Sequence, residues 1–396
     1  MPTTARQESD ADLFSDDVLN NPYPTFAELR AAAPAVFMTT LRAWAIPRYA
    51  EAREALSNHE ALCSGQGIAL NEAANAIRRT PSSSVIASDP PRHGVLRSVL
   101  SESLAPKALR KLKADIERQA DELVDEVLEK ETFDAVKDLA ERFPVQVVAD
   151  LIGLPEEGRD QILIWADGAF NAAGPPGERT EQGIAHLQQQ LAYLTTVATR
   201  HRLRPGSMGA AVYEAADRGD INADTILPLM SAYLSAGMDT TINAIGNAIW
   251  LFSQHPDEWA KLRHDPSLIP SAFNEVLRIE SPLQWMSRVT TVDYDAGGVI
   301  IPEGSRVALL FASANRDERK WNDPEKFDIS RNAADHLALG YGIHGCAGQG
   351  LARLEAHAIF AALARRVERF DAGEGHRRIN NTARGFSSLM VSHRAA

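Results

Sequence analysis

Residues 339–350, "LGYGIHGCAGQG", restrict the possible folds more than any other stretch of the chain. Five of these twelve positions are glycine, and Cys346 is one of only two cysteines in 396 residues. Gly340, Gly342, Gly345 and Gly348 remove side chains where a flat group or a tight turn must approach the backbone. A helical pattern follows at once, with Leu351, Leu354, Ile359, Leu363 and Val367 on a roughly common face. A lone cysteine is usually a small buried hydrophobe. At a helix mouth, free N–H groups and the helix dipole favour negative charge. The Cys346 thiol is therefore expected below its free pKa of about 8.5.

A second cysteine or a histidine at ligand spacing is missing, which excludes a structural zinc site and an iron–sulfur cluster. Haem iron needs only one protein ligand, because the porphyrin supplies the other four. Two cysteines, Cys63 and Cys346, make no disulfide framework and suit a reducing compartment. A net charge of −12 argues against nucleic acid as a partner. The polar N-terminus, "MPTTARQESDADLFSDD", reads as neither signal peptide nor membrane anchor. No apolar run approaches the ~20 residues that span a bilayer. A cytoplasmic protein without a membrane segment is expected.

Residues 1–12 read as a disordered tail and 13–396 as a single domain, mainly helical with a minor β portion. "AVFMTTLRAWAIPRY" (35–49) predicts a hairpin, and "ALRKLKADIERQADELVDEVLE" an amphipathic helix. Residues 223–256 are apolar nearly all round and predict one long central helix ending before Pro256. Asp239 lies within it, and a buried acid requires partners. Short strands are expected within 290–315 and near the C-terminus.

The loop "LGYGIHGCAG" resembles the haem-binding motif of the cytochrome P450 family, Phe-Gly-x-Gly-x-His-x-Cys-x-Gly, with Leu339 in place of phenylalanine. Further segments agree in order and spacing. Taken alone, Glu275 and Arg278 in "NEVLR" fit a surface i,i+3 ion pair worth about 0.3 kcal/mol. Beside the cysteine loop they resemble the family's structural Glu-x-x-Arg pair, and "FDISR" (327–331) resembles the segment that receives it. "SDPPRHGVLR" and "SRVT" supply His93, Arg97 and Arg288, which with His344 the resemblance makes partners of the haem propionates. "SAGMDTT" (235–241) is similar to the family's oxygen-binding groove, which implies catalytic roles for Asp239 in passing protons and Thr240 at the oxygen site. The implied fold is a large helical lobe, with a long central helix over haem b, and a smaller β-containing lobe. Cys346 is implied as the axial thiolate, which pushes electron density toward O–O cleavage.

"FNAAGPPGE" (170–178), "SAGMDTTINAIG" (235–246), "ESPLQ" (280–284) and "NNTARGFSSL" (380–389) are similar to bacterial monooxygenases acting on para-substituted benzoates. The implied reaction uses O2 and two electrons to O-demethylate or hydroxylate such an acid, 4-methoxybenzoate to 4-hydroxybenzoate and formaldehyde above all. "RRTPSSS" (78–84) reads either as a polar loop or as carboxylate donors, with Ser83 and Arg79 as the binding pair. Phe170, Ala236, Leu283 and Met286 are the expected ring contacts; Ala173 and Met286 replace phenylalanines and imply a more open slot. Electrons are expected from a [2Fe–2S] ferredoxin and an NAD(P)H-dependent reductase, with basic residues 106–113 and Arg353 as a docking patch. The alternatives are another small aromatic acid or a methoxyphenol as substrate, a peroxide-driven peroxygenase, and a non-catalytic haem sensor.

Overall fold

Three- and four-residue apolar spacing makes Pro106–Leu128 a helix that buries Ile116, Ala120, Val124 and Val127 along one face. It packs against the helix that follows the glycine loop, Gln349–Arg366. The computed structural model describes residues 7–79 and 84–396. Most buried apolar side chains belong to one large cluster built by the helices, and two smaller clusters lie around a sheet. The protein is thus mainly α with a smaller β portion, as expected. No helix among the described residues is long and apolar enough to cross a membrane.

The sheet runs in the order Glu8–Ser9, Val36–Met38, Ala43–Ile46, Arg306–Leu309, Met286–Thr290, Leu62–Cys63. The expected hairpin is present, with Val36 opposite Ala45 and Met38 opposite Ala43. The disordered tail expected to residue 12 is corrected from residue 7 onward. Glu8 and Ser9 pair in parallel with Phe37 and Met38, so the hairpin edge captures the incoming chain.

A second correction concerns the central helix. It is two helices, Ile226–Ala236 and Asp239–Gln254, separated at Gly237 and Met238. A Cβ on Gly237 would lie 2.6 Å from the Tyr233 carbonyl oxygen. Only glycine lets the chain bend there without displacing backbone. The all-round apolar pattern hides the break, because both segments are buried.

The Glu275–Arg278 pair is the most completely buried ion pair on the helix Ile269–Ile279, with no side-chain exposure on either partner. Arg278 Nε and Nη2 donate to the two Glu275 oxygens at 2.7 and 2.8 Å. Nη1 donates to the carbonyls of Asn315 and Pro324. Glu275 also accepts from the Asp328 N–H at 3.1 Å and from Arg331 Nε at 3.2 Å. The "FDISR" segment thus receives the pair, which excludes the surface reading. Glu275→Ala leaves Arg278 buried without its counter-charge, and we expect a loss of about 3–5 kcal/mol. A urea midpoint unchanged from wild type would show that the carbonyl contacts alone hold the arginine.

Candidate active site

The glycine loop, the helix break and the helix Ile162–Asn171 enclose a cavity of about 310 Å³. Gly340 and Gly342 adopt φ of +68° each, the left-handed region that favours glycine. A Cβ on Gly342 would meet the Leu56 carbonyl at 2.4 Å. The turn brings Cys346 back so that its N–H donates to the Leu339 carbonyl at 2.8 Å, with the residue bordering the cavity. Cys63 pairs into the sheet instead and does not border it.

The expected lowering of the Cys346 thiol pKa is corrected. Burial pushes the thiol up and outweighs the Gly348 and Gln349 N–H groups, Arg97 and Arg353, all of which favour the thiolate. The helix mouth and the two guanidinium groups oppose that rise without reversing it. Here a bound cation must supply the remaining stabilisation of the anion.

One wall of the cavity carries His93, Arg97, Arg288 and His344. The two imidazoles meet edge to face at 4.5 Å between centroids, and each Nε2 is buried without a hydrogen-bond partner among the described residues. Arg97 Nη2 donates to the Gly345 carbonyl at 2.6 Å, and Arg288 Nη1 to the Ser287 carbonyl at 2.8 Å. Burial, then Arg288, His93 and Arg97, hold His344 down at about 2; burial lowers Arg288 to about 10. Among the described residues lining the cavity there is no aspartate or glutamate. Two guanidinium groups and two imidazoles with spare donors around an apolar cavity fit a flat group carrying carboxylates. Haem meets that description, with the Cys346 sulfur available to its iron.

At the break, Thr240 and Thr241 both border the cavity, and the Thr240 hydroxyl donates to the Ala236 carbonyl at 3.2 Å. Asp239 does not border it. Arg378 grips Asp239 from behind, Nη1 to Oδ1 at 2.7 Å and Nη2 to Oδ2 at 2.8 Å. Asp167 stands 3.4 Å from the same guanidinium, its carboxyl pushed up by burial. The sequence argument demanded partners for Asp239 but did not find Arg378 or Asp167. They lie 139 and 72 residues away, with no local spacing to mark them.

Phe170, Ala236, Leu283 and Met286 all line the cavity, as does Ala173. Arg79 does not: it turns outward to pair with Glu72 and the Gln66 carbonyl. Its neighbour Arg78 takes the inward position, corrected by one residue. Arg78 lines the cavity, donates Nη2 to the Ala169 carbonyl at 2.7 Å, and leaves Nε buried without a partner. Burial lowers it to about 10. Ser83 lies outside the described residues. Ser84 is described, lines the cavity, and its buried Oγ has no hydrogen-bond partner among the described residues. The "NNTARG" segment locks the Phe170 wall: Thr382 Oγ1 donates to the Phe170 carbonyl and Asn381 Nδ2 to the Asn171 carbonyl. Glu280 of "ESPLQ" is structural. Burial pushes its carboxyl up, but Arg384, Arg377 and Arg316 prevail and hold it at about 2.

Comparison with known proteins agrees with this geometry. A sequence model of the family described as Cytochrome P450 matches residues 207–391. Cytochrome p450 CYP199A2 of Rhodopseudomonas palustris is 40% identical over 382 residues, covering 96% of this chain and 93% of the relative. Vitamin D(3) 25-hydroxylase of Pseudonocardia autotrophica is 32% identical over 371 residues, 92% and 90% of the two chains. Among solved structures, cytochrome P450 CREJ in complex with (4-ethylphenyl) dihydrogen phosphate is similar with a TM-score of 0.86 and 29% identity, covering 95% of this chain and 98% of that one. The chain belongs to the cytochrome P450 family. It is a monooxygenase of that class, and its cofactor is haem with a cysteine thiolate as axial ligand.

His336, just ahead of the loop, is 6% exposed and held at about 3 by burial, with Arg353 and Arg278 adding to the effect. Its Nδ1 accepts from the Ala338 N–H at 3.2 Å. An unfolded histidine binds a proton below about pH 6.5, whereas this folded one stays neutral, so stability falls as pH drops below that value. We expect His336→Asn, which keeps an acceptor for Ala338, to recover about 2 kcal/mol of the stability lost between about pH 7 and pH 5. Identical pH profiles of urea unfolding for the two proteins would exclude His336 as a contributor.

Proposed function

We propose that Cys346 ligates the haem iron, that His93, Arg97, Arg288 and His344 hold the propionates, and that the enzyme oxidises a para-substituted benzoate. O-demethylation of 4-methoxybenzoate to 4-hydroxybenzoate and formaldehyde is the reaction that fits best. One observation carries the substrate class. After the four propionate donors are assigned, Arg78 Nε and Ser84 Oγ remain without a hydrogen-bond partner among the described residues, with Arg78 held next to Phe170 by its bond to the Ala169 carbonyl, in a cavity otherwise largely apolar. A substrate with one anionic end and an apolar ring satisfies both. The complex of cytochrome P450 CREJ with (4-ethylphenyl) dihydrogen phosphate is support from a relative, since that ligand also sets an anion across a ring from an alkyl group.

Bound haem supplies the oxygen chemistry: O2 and two electrons yield an oxidant that inserts one oxygen atom. The chain does the rest. Arg78 and Ser84 fix the carboxylate, so the para substituent is the part presented toward Cys346. Phe170, Leu283, Met286 and Ala236 enclose the ring and exclude water. Thr240 places its hydroxyl at the cavity edge of the helix break, and Asp239 moves protons to it after loosening from Arg378. Electrons are assigned to a [2Fe–2S] ferredoxin with its NAD(P)H-dependent reductase. Lys107, Arg110, Lys111 and Lys113 are exposed at the start of the helix packed on the cysteine helix, and form the docking patch with Arg353. We place the enzyme in the cytoplasm, with 13–396 as one catalytic domain.

Cys346→Ser is expected to abolish the thiolate-specific band of the reduced carbon monoxide complex while the haem still binds; a retained band would refute the ligand. For the substrate, a hydrogen bond to a charged group is worth about 1.5–3 kcal/mol. Arg78→Met should therefore weaken 4-methoxybenzoate binding about tenfold to a hundredfold in a spectral titration. Methyl 4-methoxybenzoate should bind both proteins alike, and Arg79→Met should bind the acid like wild type. Loss of affinity in Arg79→Met but not Arg78→Met would overturn the assignment.

A further inference from the structure

A second polar group borders the cavity, and no role described above uses it. Ser231 and Ser235 lie one turn apart on Ile226–Ala236, and both line the cavity. Their hydroxyls donate to one acceptor, Gln190 Oε1, at 2.7 and 3.1 Å. Gln190 has no exposure and stands behind the cavity wall, between Leu187 and Leu191, which line it on the same helix, Glu178–Thr196. Both Oε1 lone pairs are thus used, whereas Nε2 is buried with no partner among the described residues. An amide satisfied on only one side and shut away from water is costly to keep for packing alone.

A half-turn of that amide inverts the group. In the orientation above, the serines spend their protons on Gln190 and offer oxygen lone pairs to the cavity. Turned over, Nε2 donates to both serine oxygens and the two O–H groups are released toward the cavity. The trio carries no charge in either state, so it can donate to or accept from a ligand without a counter-ion. This differs in kind from Arg78 and Ser84, which attract an anion. A neutral oxygen group that both donates and accepts, a hydroxyl, matches it best.

We propose that Gln190, Ser231 and Ser235 form a second substrate subsite for a neutral hydroxyl, so that the preferred substrates are aromatic acids carrying a ring hydroxyl besides the para substituent. The proposal rests on the reading of the cavity as an aromatic-acid site. The test is isothermal titration calorimetry of the haem-loaded enzyme with 4-methoxybenzoate and its 2-hydroxy and 3-hydroxy derivatives. The proteins compared are wild type, the double variant Ser231→Ala/Ser235→Ala, and Arg78→Met. In the double variant, at least one hydroxylated acid should lose about tenfold in affinity, as one neutral hydrogen bond allows, while 4-methoxybenzoate changes little. Equal losses for all three acids would show that the serines hold the carboxylate, and no loss for any would make the trio structural; either result overturns the subsite. Arg78→Met reports separately. If it leaves all three affinities unchanged while the hydroxyl preference persists, the carboxylate assignment fails and the subsite stands. A wild-type circular dichroism spectrum for the double variant excludes misfolding as the source of a loss.

Discussion

Buried guanidinium and imidazole donors with no carboxylate beside them on the described cavity lining organise this molecule's interior. Arg78, Arg97 and Arg288, with His93 and His344, line one cavity, and no carboxylate among the described lining residues answers them. Burial charges a cost for each: Arg78 and Arg288 are lowered to about 10, and His344 to about 2. Such a set persists only if bound groups bring the missing negative charge. On the function proposed above, the two haem propionates and a substrate carboxylate complete the balance. Cofactor binding is thereby coupled to folding, because the loaded cavity removes a penalty that the unloaded one retains. Backbone carbonyls hold two of these donors apart: Arg97 is tied to Gly345 and Arg78 to Ala169.

Much of this was legible in the sequence where chemistry and spacing coincide within a short window. The cysteine loop, the Glu275–Arg278 pair and the His93–Arg97 spacing each combine a rare residue type with a fixed local offset. The hairpin at 36–46 followed from its β-branched and aromatic residues. Features that depend on distant chain segments were not legible. Arg378 reaches Asp239 from the C-terminal strands, and nothing near either residue marks the pairing. The choice between Arg78 and Arg79 turned on helix phase. The helix Glu72–Arg79 aims residue 78 inward, while residue 79 lies a further ~100° round, following from about 3.6 residues per turn, toward Glu72. A pattern reading that counts arginines in a polar segment has no phase to use.

The helix break shows most clearly why sequence and structure diverged. Uniform apolar composition argued for one uninterrupted helix, and burial on all sides would ordinarily support that. Yet Gly237 abuts the Tyr233 carbonyl too closely for any side chain, and the chain restarts its helix at Asp239. Restarting there places the carboxylate at a helix N-terminus, where the dipole favours its charge. Arg378 adds a paired, bidentate contact of the stronger, charge-assisted kind. The Arg378-paired carboxyl group is thus held one residue from the cavity edge without facing it, while Thr240 lines the cavity and donates to the Ala236 carbonyl. A continuous helix would leave Asp239 in a helix interior with no free N–H groups nearby. The irregularity therefore sets a buried, Arg378-paired carboxyl group and a cavity-lining hydroxyl on consecutive residues.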